Sequence, residues 1–99
     1  MAIEKVNLVD KLALFSDHWS PKIVGEVNDS AVNLVKLQGE FVWHHHEVED
    51  EMFFVVKGHL LMKLRDQDLW LYEGEFVIIP HGVEQMPVAP EEVHIMLFE

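Results

Sequence analysis

The fold of this chain is decided by residues 39–58, which read GEFVWHHHEVEDEMFFVVKG. In an extended chain alternate side chains share a face, and residues two apart lie about 6.5–7 Å apart. We therefore expect His44 and His46 on one face and His45 on the other. Two imidazoles at that spacing can converge on one metal ion, at about 2.0–2.1 Å from each nitrogen.

The residues that follow the histidines offer a carboxylate on a second strand. In residues 51–57 the alternation places Glu51, Phe53 and Val55 on one face. If this strand pairs with the histidine strand across residues 47–50, Glu51 lies beside the two imidazoles. Two histidines and one carboxylate leave coordination positions open, an arrangement that suits non-haem iron and other divalent metals. A solvated loop whose histidines bind nothing is the alternative.

Composition limits the class of protein. A chain of 99 residues predicts a single domain, 1–99. The formal net charge of −11 disfavours nucleic acids and anionic membranes as partners. The chain has no cysteine, which excludes disulfides, thiolate ligands and thiol catalysis. The N-terminus lacks the apolar core of a signal peptide, and no apolar run approaches the roughly 18–20 residues of a membrane span, so we expect a cytoplasmic protein.

The order of elements predicts an all-β fold with a short N-terminal helix. Residues 1–20 form an N-terminal segment in which Asn7 can cap a helix that runs to about Phe15. Residues 21–99 form the barrel. About eight short strands at close spacing indicate a small sandwich or barrel. The predicted strands are 22–27, 31–37, 40–46, 51–57, 60–64, 69–72, 75–79 and 93–98.

The spacing of glycines, histidines and glutamate resembles the first signature of the cupins, a glycine followed by H-x-H, then E, then G. The matching residues are Gly39, His44, His46, Glu51 and Gly58, and the gap after Gly39 is one residue shorter than the usual five. Nearly the whole chain shares this resemblance. It is greatest to the small single-domain cupins described as similar to mannose-6-phosphate isomerase.

The second cupin signature, G-x5-P-x-G-x2-H, resembles residues 74–85, which read GEFVIIPHGVEQ. Gly74, Pro80 and Gly82 are in register. The family's last histidine, its fourth metal ligand, is replaced here by Gln85. An amide oxygen is a weaker donor than an imidazole, so this replacement lowers the expected affinity for a borderline-soft metal.

The resemblance implies a double-stranded β-helix, or jelly-roll barrel, with a divalent transition metal (Fe, Mn, Ni, Co or Zn) in its mouth. By motif position the implied ligands are His44, His46 and Glu51, with Gln85 reaching the metal directly or through water. The alternative is a degenerate site whose polar residues hydrogen-bond one another, because burying them unpaired would cost several kcal/mol.

We expect an apolar pocket lining that suits a small, partly hydrophobic ligand. The predicted lining residues are Val35, Leu37, Phe53, Val55 and Met86. The turn acids Glu47, Glu49 and Asp50 are expected to be solvated.

Apolar residues are also predicted on the outer face of the barrel. They are Phe41, Trp43, Met52, Phe54 and Val56. Since apolar residues on both faces of a sheet indicate that both faces are covered, we expect a homodimer, helped by the N-terminal helix. Cover by local loops is the alternative.

Three functions remain open at this point. The first is a metal-dependent isomerase or dioxygenase acting on a small molecule, with the metal as Lewis acid or as the binding site for substrate and dioxygen. The second is a non-catalytic small-molecule binding or sensing protein whose metal site is degenerate because of Gln85. The third is a purely structural dimer. Fold similarity names neither a substrate nor a reaction.

Overall fold

One short helix and seven strands make up residues 2–99, the range that the computed structural model describes. The first residue of the predicted N-terminal segment lies outside that range. The elements are α1 (Leu8–Leu12), β1 (Lys22–Val27), β2 (Ser30–Glu40), β3 (Glu51–Lys57), β4 (His59–Leu64), β5 (Asp68–Tyr72), β6 (Phe76–Ile79) and β7 (Gln85–Phe98). The predicted all-β jelly-roll class with a short N-terminal helix is confirmed.

The helix begins where the sequence predicts and ends three residues early. The side-chain oxygen of Asn7 accepts a hydrogen bond from the Asp10 backbone N–H at 3.0 Å. Leu12 is the buried residue of α1. Phe15 lies beyond the helix, where its carbonyl accepts a hydrogen bond from Lys36 Nζ at 2.6 Å. Because an isolated helix this short is marginal in water, packing around Leu12 sets its length. Among residues 2–99 no helix is long and apolar enough to cross a membrane.

The antiparallel sheet is organised around β7, which pairs with β2, β3 and β4. We predicted only residues 93–98 as the last strand, whereas β7 also includes residues 85–92. Pro87 and Pro90 lie in this added part, although proline is uncommon in a strand interior. The structure accommodates both prolines next to a shift in register. Leu37 pairs with Val93, whereas Gly39 pairs with Ala89, so β7 carries extra residues between these pairs. With this bulge, one long strand pairs with β4 near its start and with β3 near its end, while β2 pairs with both parts.

The predicted strand 40–46 is wrong. A single strand, β2, replaces the predicted strands 31–37 and 40–46, and residues 41–50 are irregular apart from one isolated bridge between His44 and Gln85. The predicted pairing of the histidine stretch with β3 is also wrong, since β3 pairs with β6 and β7. The physical reason is that the start of β7 takes the backbone hydrogen bonds of the histidine stretch.

The core lies inside the barrel, on alternate residues of the strands. Its fully buried members are Val55, Leu60, Met62, Ala89, Val93 and Ile95. This alternation continues towards the mouth, where Glu51 begins β3 and Gln85 begins β7, and both side chains are buried. Because alternate residues of a strand share a face, the side chains of Glu51 and Gln85 point into the same interior as the core.

Gly58 has a positive φ and lies close to the backbone of β7, so we predict that replacing it destabilises the fold. Its φ is +94°, and a Cβ there would lie 3.2 Å from Glu92 O and 3.4 Å from Val93 Cα. Gly74 has a φ of +83° but has open space around it, so it is a matched control.

We expect Gly74→Ala to cost about 1–2 kcal/mol from backbone strain alone, and Gly58→Ala to cost clearly more. Urea unfolding of both variants measures the difference. Equal costs would show that the close approach of β7 to Gly58 is unimportant.

Candidate metal centre

His44, His46 and Glu51 come together at the mouth of the barrel. Each offers one ligand atom, and these atoms all lie within 4.8 Å of one another. His46 Nε2 is 3.2 Å from Glu51 Oε1. The rings of His44 and His46 meet edge to face, with centroids 5.5 Å apart. The three side chains therefore form one compact group with two nitrogen donors and one carboxylate.

The ring of His44 is oriented by its own backbone. Its Nδ1 lies 3.0 Å from the Val42 carbonyl oxygen, which can only accept, so Nδ1 carries the proton. Nε2 is then the nitrogen whose lone pair is free. A hydrogen bond from the second ring nitrogen to a carbonyl is the usual way in which a metal-binding histidine is held in one tautomer.

The second-signature segment holds the histidine stretch in place. His44 N donates to Gln85 O at 3.0 Å, and Gln85 N donates to His44 O at 2.9 Å. Three residues before Gln85, Gly82 N donates to His46 O at 2.8 Å. These backbone bonds explain why His44 and His46 meet Glu51 although they do not lie on a regular strand.

Gln85 is buried beside Glu51 with its hydrogen bonding incomplete. Its side chain is 1% exposed, and Nε2 donates to Glu51 Oε1 over a long 3.4 Å. Its Oε1 is buried and has no partner. A buried acceptor left unpaired costs about 1–3 kcal/mol. Two imidazoles, a carboxylate and this free amide oxygen are a donor set that fits a divalent transition metal.

The environment of Glu51 disfavours a bare negative charge. Its side chain is 6% exposed. Burial raises the pKa of Glu51, and the nearby Glu99 carboxylate raises it further, while His46 and a hydrogen bond from Gln85 oppose the rise. A cation at this place would compensate the buried charge.

A cavity of about 340 Å³ opens next to the three side chains. Of the predicted lining residues, Val35, Leu37 and Phe53 lie on its wall. Val55 does not, because it is fully buried in the core below. Met86 does not either, because Pro87 occupies the inward position of β7 and Met86 takes the alternate face. The complete wall is Trp19, Pro21, Val35, Leu37, Phe41, His44, His46, Glu51, Phe53, Pro87, Leu97 and Glu99.

Phe41 is a correction to the predicted outer face. Its ring stacks on Trp19 with centroids 5.0 Å apart and meets the edge of His44 at 5.1 Å. Strand alternation placed it outside, but residues 41–50 do not follow a strand period. Trp43 does lie outside the cavity, and the Arg65 guanidinium packs on its ring, 3.8 Å from the centroid. His45 also lies outside it, with Nε2 at 2.8 Å from Glu47 Oε1.

Asp50 has a structural role that the sequence prediction missed. Its Oδ1 accepts hydrogen bonds from the backbone N–H of His81 and from His81 Nδ1, both at 2.9 Å. We expected a solvated turn acid. Only the fold shows that Asp50 lies opposite the Pro80–Gly82 loop, which carries the chain into Gln85.

We predict that Asp50→Ala loosens this loop and lowers stability in a pH-dependent way. The hydrogen bond from the His81 backbone lowers the pKa of Asp50 from its usual 3.8. A lowered pKa in the folded state stabilises the fold above the unfolded value, and this contribution is lost as pH falls through the folded value. The urea midpoint of the variant should therefore lie below that of the parent at pH 7, and the two should converge as pH falls below 3.8 and through the lower folded pKa. Glu47→Ala, which removes a neighbouring exposed acid, is the control. A pH-independent difference would contradict this role.

Comparison with known proteins gives one curated relative and many similar structures. The protein YdbB of Bacillus subtilis (strain 168), described as uncharacterised, is 38% identical over 60 residues, which are 60% of this chain and 53% of YdbB. The chain thus spans about half the length of this relative.

Two solved structures cover nearly the whole chain. A cupin-2 domain containing protein from Shewanella frigidimarina is 49% identical, with a TM-score of 0.93, over 95% of this chain and 92% of its own. Protein NMB1881 from Neisseria meningitidis is 30% identical, with a TM-score of 0.89, over 97% and 98%. Residues 33–98 match the cupin domain family Cupin_2. With both signatures placed at the mouth of one barrel, this chain belongs to the cupin family.

Proposed function

We propose that this cupin binds a divalent transition metal at His44, His46 and Glu51 and acts as a metal-dependent enzyme on a small molecule held in the adjoining cavity. The observation that carries the proposal is the buried, unpartnered Oε1 of Gln85 beside these three side chains. An acceptor left unpaired in the interior is costly, and a metal or a metal-bound water would satisfy it.

In this proposal each side chain has a distinct role at the metal. His44, fixed by Val42 O, presents Nε2, while His46 and Glu51 supply the second imidazole and the charge. Gln85 keeps Glu51 oriented through Nε2. When bound, such a metal polarises a substrate oxygen or, if it is redox-active, provides a site for dioxygen, which are the isomerase and dioxygenase alternatives.

The cavity wall favours an uncharged ligand. Trp19 and Phe41 stack to form one side, and Val35, Leu37 and Leu97 add aliphatic surface. Within the part of the chain that the structure describes, the wall contains no lysine or arginine. A phosphorylated sugar would find no counter-charge there apart from the metal, so the wall gives no support to a mannose-6-phosphate isomerase-like substrate. It suits a mostly apolar molecule with one or two oxygen donors.

The second candidate function is a non-catalytic binding or sensing cupin. The observation that favours it is the bonding of Glu51 to both His46 and Gln85, by which the polar residues partly satisfy one another without a metal. Metal content separates this candidate from the first.

We predict that protein purified without an affinity tag and reconstituted with a divalent metal holds close to one ion per chain. Removing an imidazole ligand should reduce the content severalfold or more, so His44→Ala is the test variant. His59→Ala is the control, because His59 lies against Trp70 and Tyr72 away from the site. Elemental analysis measures the content.

Gln85→His adds the discriminating comparison. If the parent holds less than about 0.1 metal per chain and Gln85→His is nearly full, the enzyme proposal fails and the degenerate site stands. Equal loading of parent and variant contradicts the degenerate site. Loss of metal in His59→Ala as well would show that binding is nonspecific.

We also propose that a second copy of this chain covers the outer face of β3 and β6. Met52 pairs with Ile78 and Phe54 with Phe76 on that face, and Phe76 and Ile78 are more than half exposed. The helix α1 reaches only the Val56 end of this face. Contiguous apolar surface of this kind marks interfaces in soluble proteins.

The expected mass in solution is therefore twice the 11.5 kDa of the chain. Ile78→Lys should shift it to the monomer, because a charge would be buried at the interface, whereas Ile23→Lys on the exposed side of β1 should not. Light scattering after size exclusion measures the mass. A monomeric parent at about 50 μM, a concentration at which a standard-sized interface holds, would refute the dimer.

A further inference from the structure

The C-terminal end of β7 brings a second carboxylate to the site. On the β3–β7 ladder Phe53 pairs with Leu97 and Met52 with Phe98, so the next residues in register are Glu51 and Glu99. Ala31 N also donates to Glu99 O at 2.6 Å, and Glu99 N donates to Ala31 O at 3.2 Å. The backbone of Glu99 is therefore fixed opposite Glu51.

The side chain of Glu99 faces the interior. The buried residues Val93, Ile95 and Leu97 set the inward face of β7, and Glu99 is the next residue with the same parity. It lines the same cavity as His44 and His46. Glu99 forms a second group with His46 and Glu49, whose ligand atoms lie within 4.8 Å of one another, and this group shares His46 with the first.

Two carboxylates are thus placed opposite each other on the inner face of adjacent strands. Like charges in directly opposite positions destabilise a sheet. Glu99 Oε2 is buried and has no hydrogen-bond partner. Gln85 is 1% exposed, donates through Nε2 to Glu51 Oε1 and leaves its own Oε1 without a partner. Two neighbours of the Glu51 carboxylate thus each carry a buried, unpartnered acceptor oxygen, and a cation would account for both.

From this geometry we propose that the Glu99 carboxylate is an additional protein ligand of the metal. It supplies a strong donor where the replacement of histidine by Gln85 has left only a weak amide oxygen. This inference rests on the proposed metal-binding function and deepens it. Two carboxylates balance the charge of a divalent ion, and an oxygen-rich set with two imidazoles suits Mn²⁺ or Fe²⁺ better than Cu²⁺.

The test compares Mn²⁺ binding to the full chain and to Glu99→Gln by isothermal titration calorimetry. Glu99→Gln keeps the shape of the side chain and removes its charge, and we expect at least a tenfold loss of affinity. Glu47→Gln is the matched control, since Glu47 is an exposed acid bound to His45, and its affinity should equal that of the parent. Thermal melting without metal should show that Glu99→Gln is at least as stable as the parent, because one of two opposed charges is gone. Glu99→Ala serves as the second variant if Glu99→Gln does not fold.

Cobalt absorption distinguishes ligation from simple attraction. The visible bands of bound Co²⁺ depend on the ligand set, so Glu99→Gln should change them. A weakened affinity with unchanged bands, or an unchanged affinity, overturns this inference and leaves the metal-binding proposal standing. No saturable binding of either ion to the parent overturns both. Equal losses in Glu99→Gln and Glu47→Gln would show that net charge alone sets the affinity, and would overturn the inference as well.

Discussion

The reciprocal backbone bond between His44 and Gln85 is the interaction on which the site depends. Its two hydrogen bonds, 3.0 and 2.9 Å long, join the first signature to the start of β7. Without them residues 41–50 have no regular partner, since this segment belongs to no strand. The bridge fixes His44 next to Gln85, and the bond from Gly82 N to His46 O holds His46. These backbone bonds bring the two histidines to Glu51, which β3 holds in place.

The electrostatics of the mouth follow from β7 as a whole. A fully extended strand of 14 residues would span roughly 45 Å, yet Gln85 at its start bonds to Glu51 and Glu99 just beyond its end lies opposite Glu51. Both ends of β7 come close to the Glu51 carboxylate because the strand curves. Its pairing with β2 shifts register near Ala89. A jelly roll that bends this strand around its core therefore concentrates acidic and amide oxygens at one place. The buried charge of Glu51 and the unpartnered oxygens of Gln85 and Glu99 are the result.

Local patterns in the sequence were sufficient for much of the fold. The cap at Asn7, the strand 22–27, the strand 51–57 and the β4–β5 hairpin all depend on neighbours within a few residues, and each is present. The length of β7 and the irregular path of 41–50 could not be predicted in this way. Both are set by pairing between segments about 40 residues apart, and that pairing overrides the strand period.

The same distinction applies to the site residues. His44, His46, Glu51 and Gln85 could be named from spacing and from the resemblance to cupins, because the motif itself encodes them. Phe41 was assigned to the wrong side because alternation fails where there is no strand. Asp50 and Glu99 carry no local signal, since the contact of Asp50 arises from His81 and the proposed role of Glu99 from the register of β7 on β3.

The central claim is that these side chains hold one metal ion at the mouth of the barrel. Anomalous diffraction from crystals of the tag-free protein soaked in Mn²⁺ tests it most directly. The account predicts one strong peak within coordination distance of a ring nitrogen of His44, a ring nitrogen of His46 and a carboxylate oxygen of Glu51. Crystals at saturating Mn²⁺ with no peak there, and with Gln85 and Glu51 still bonded only to protein, would contradict it.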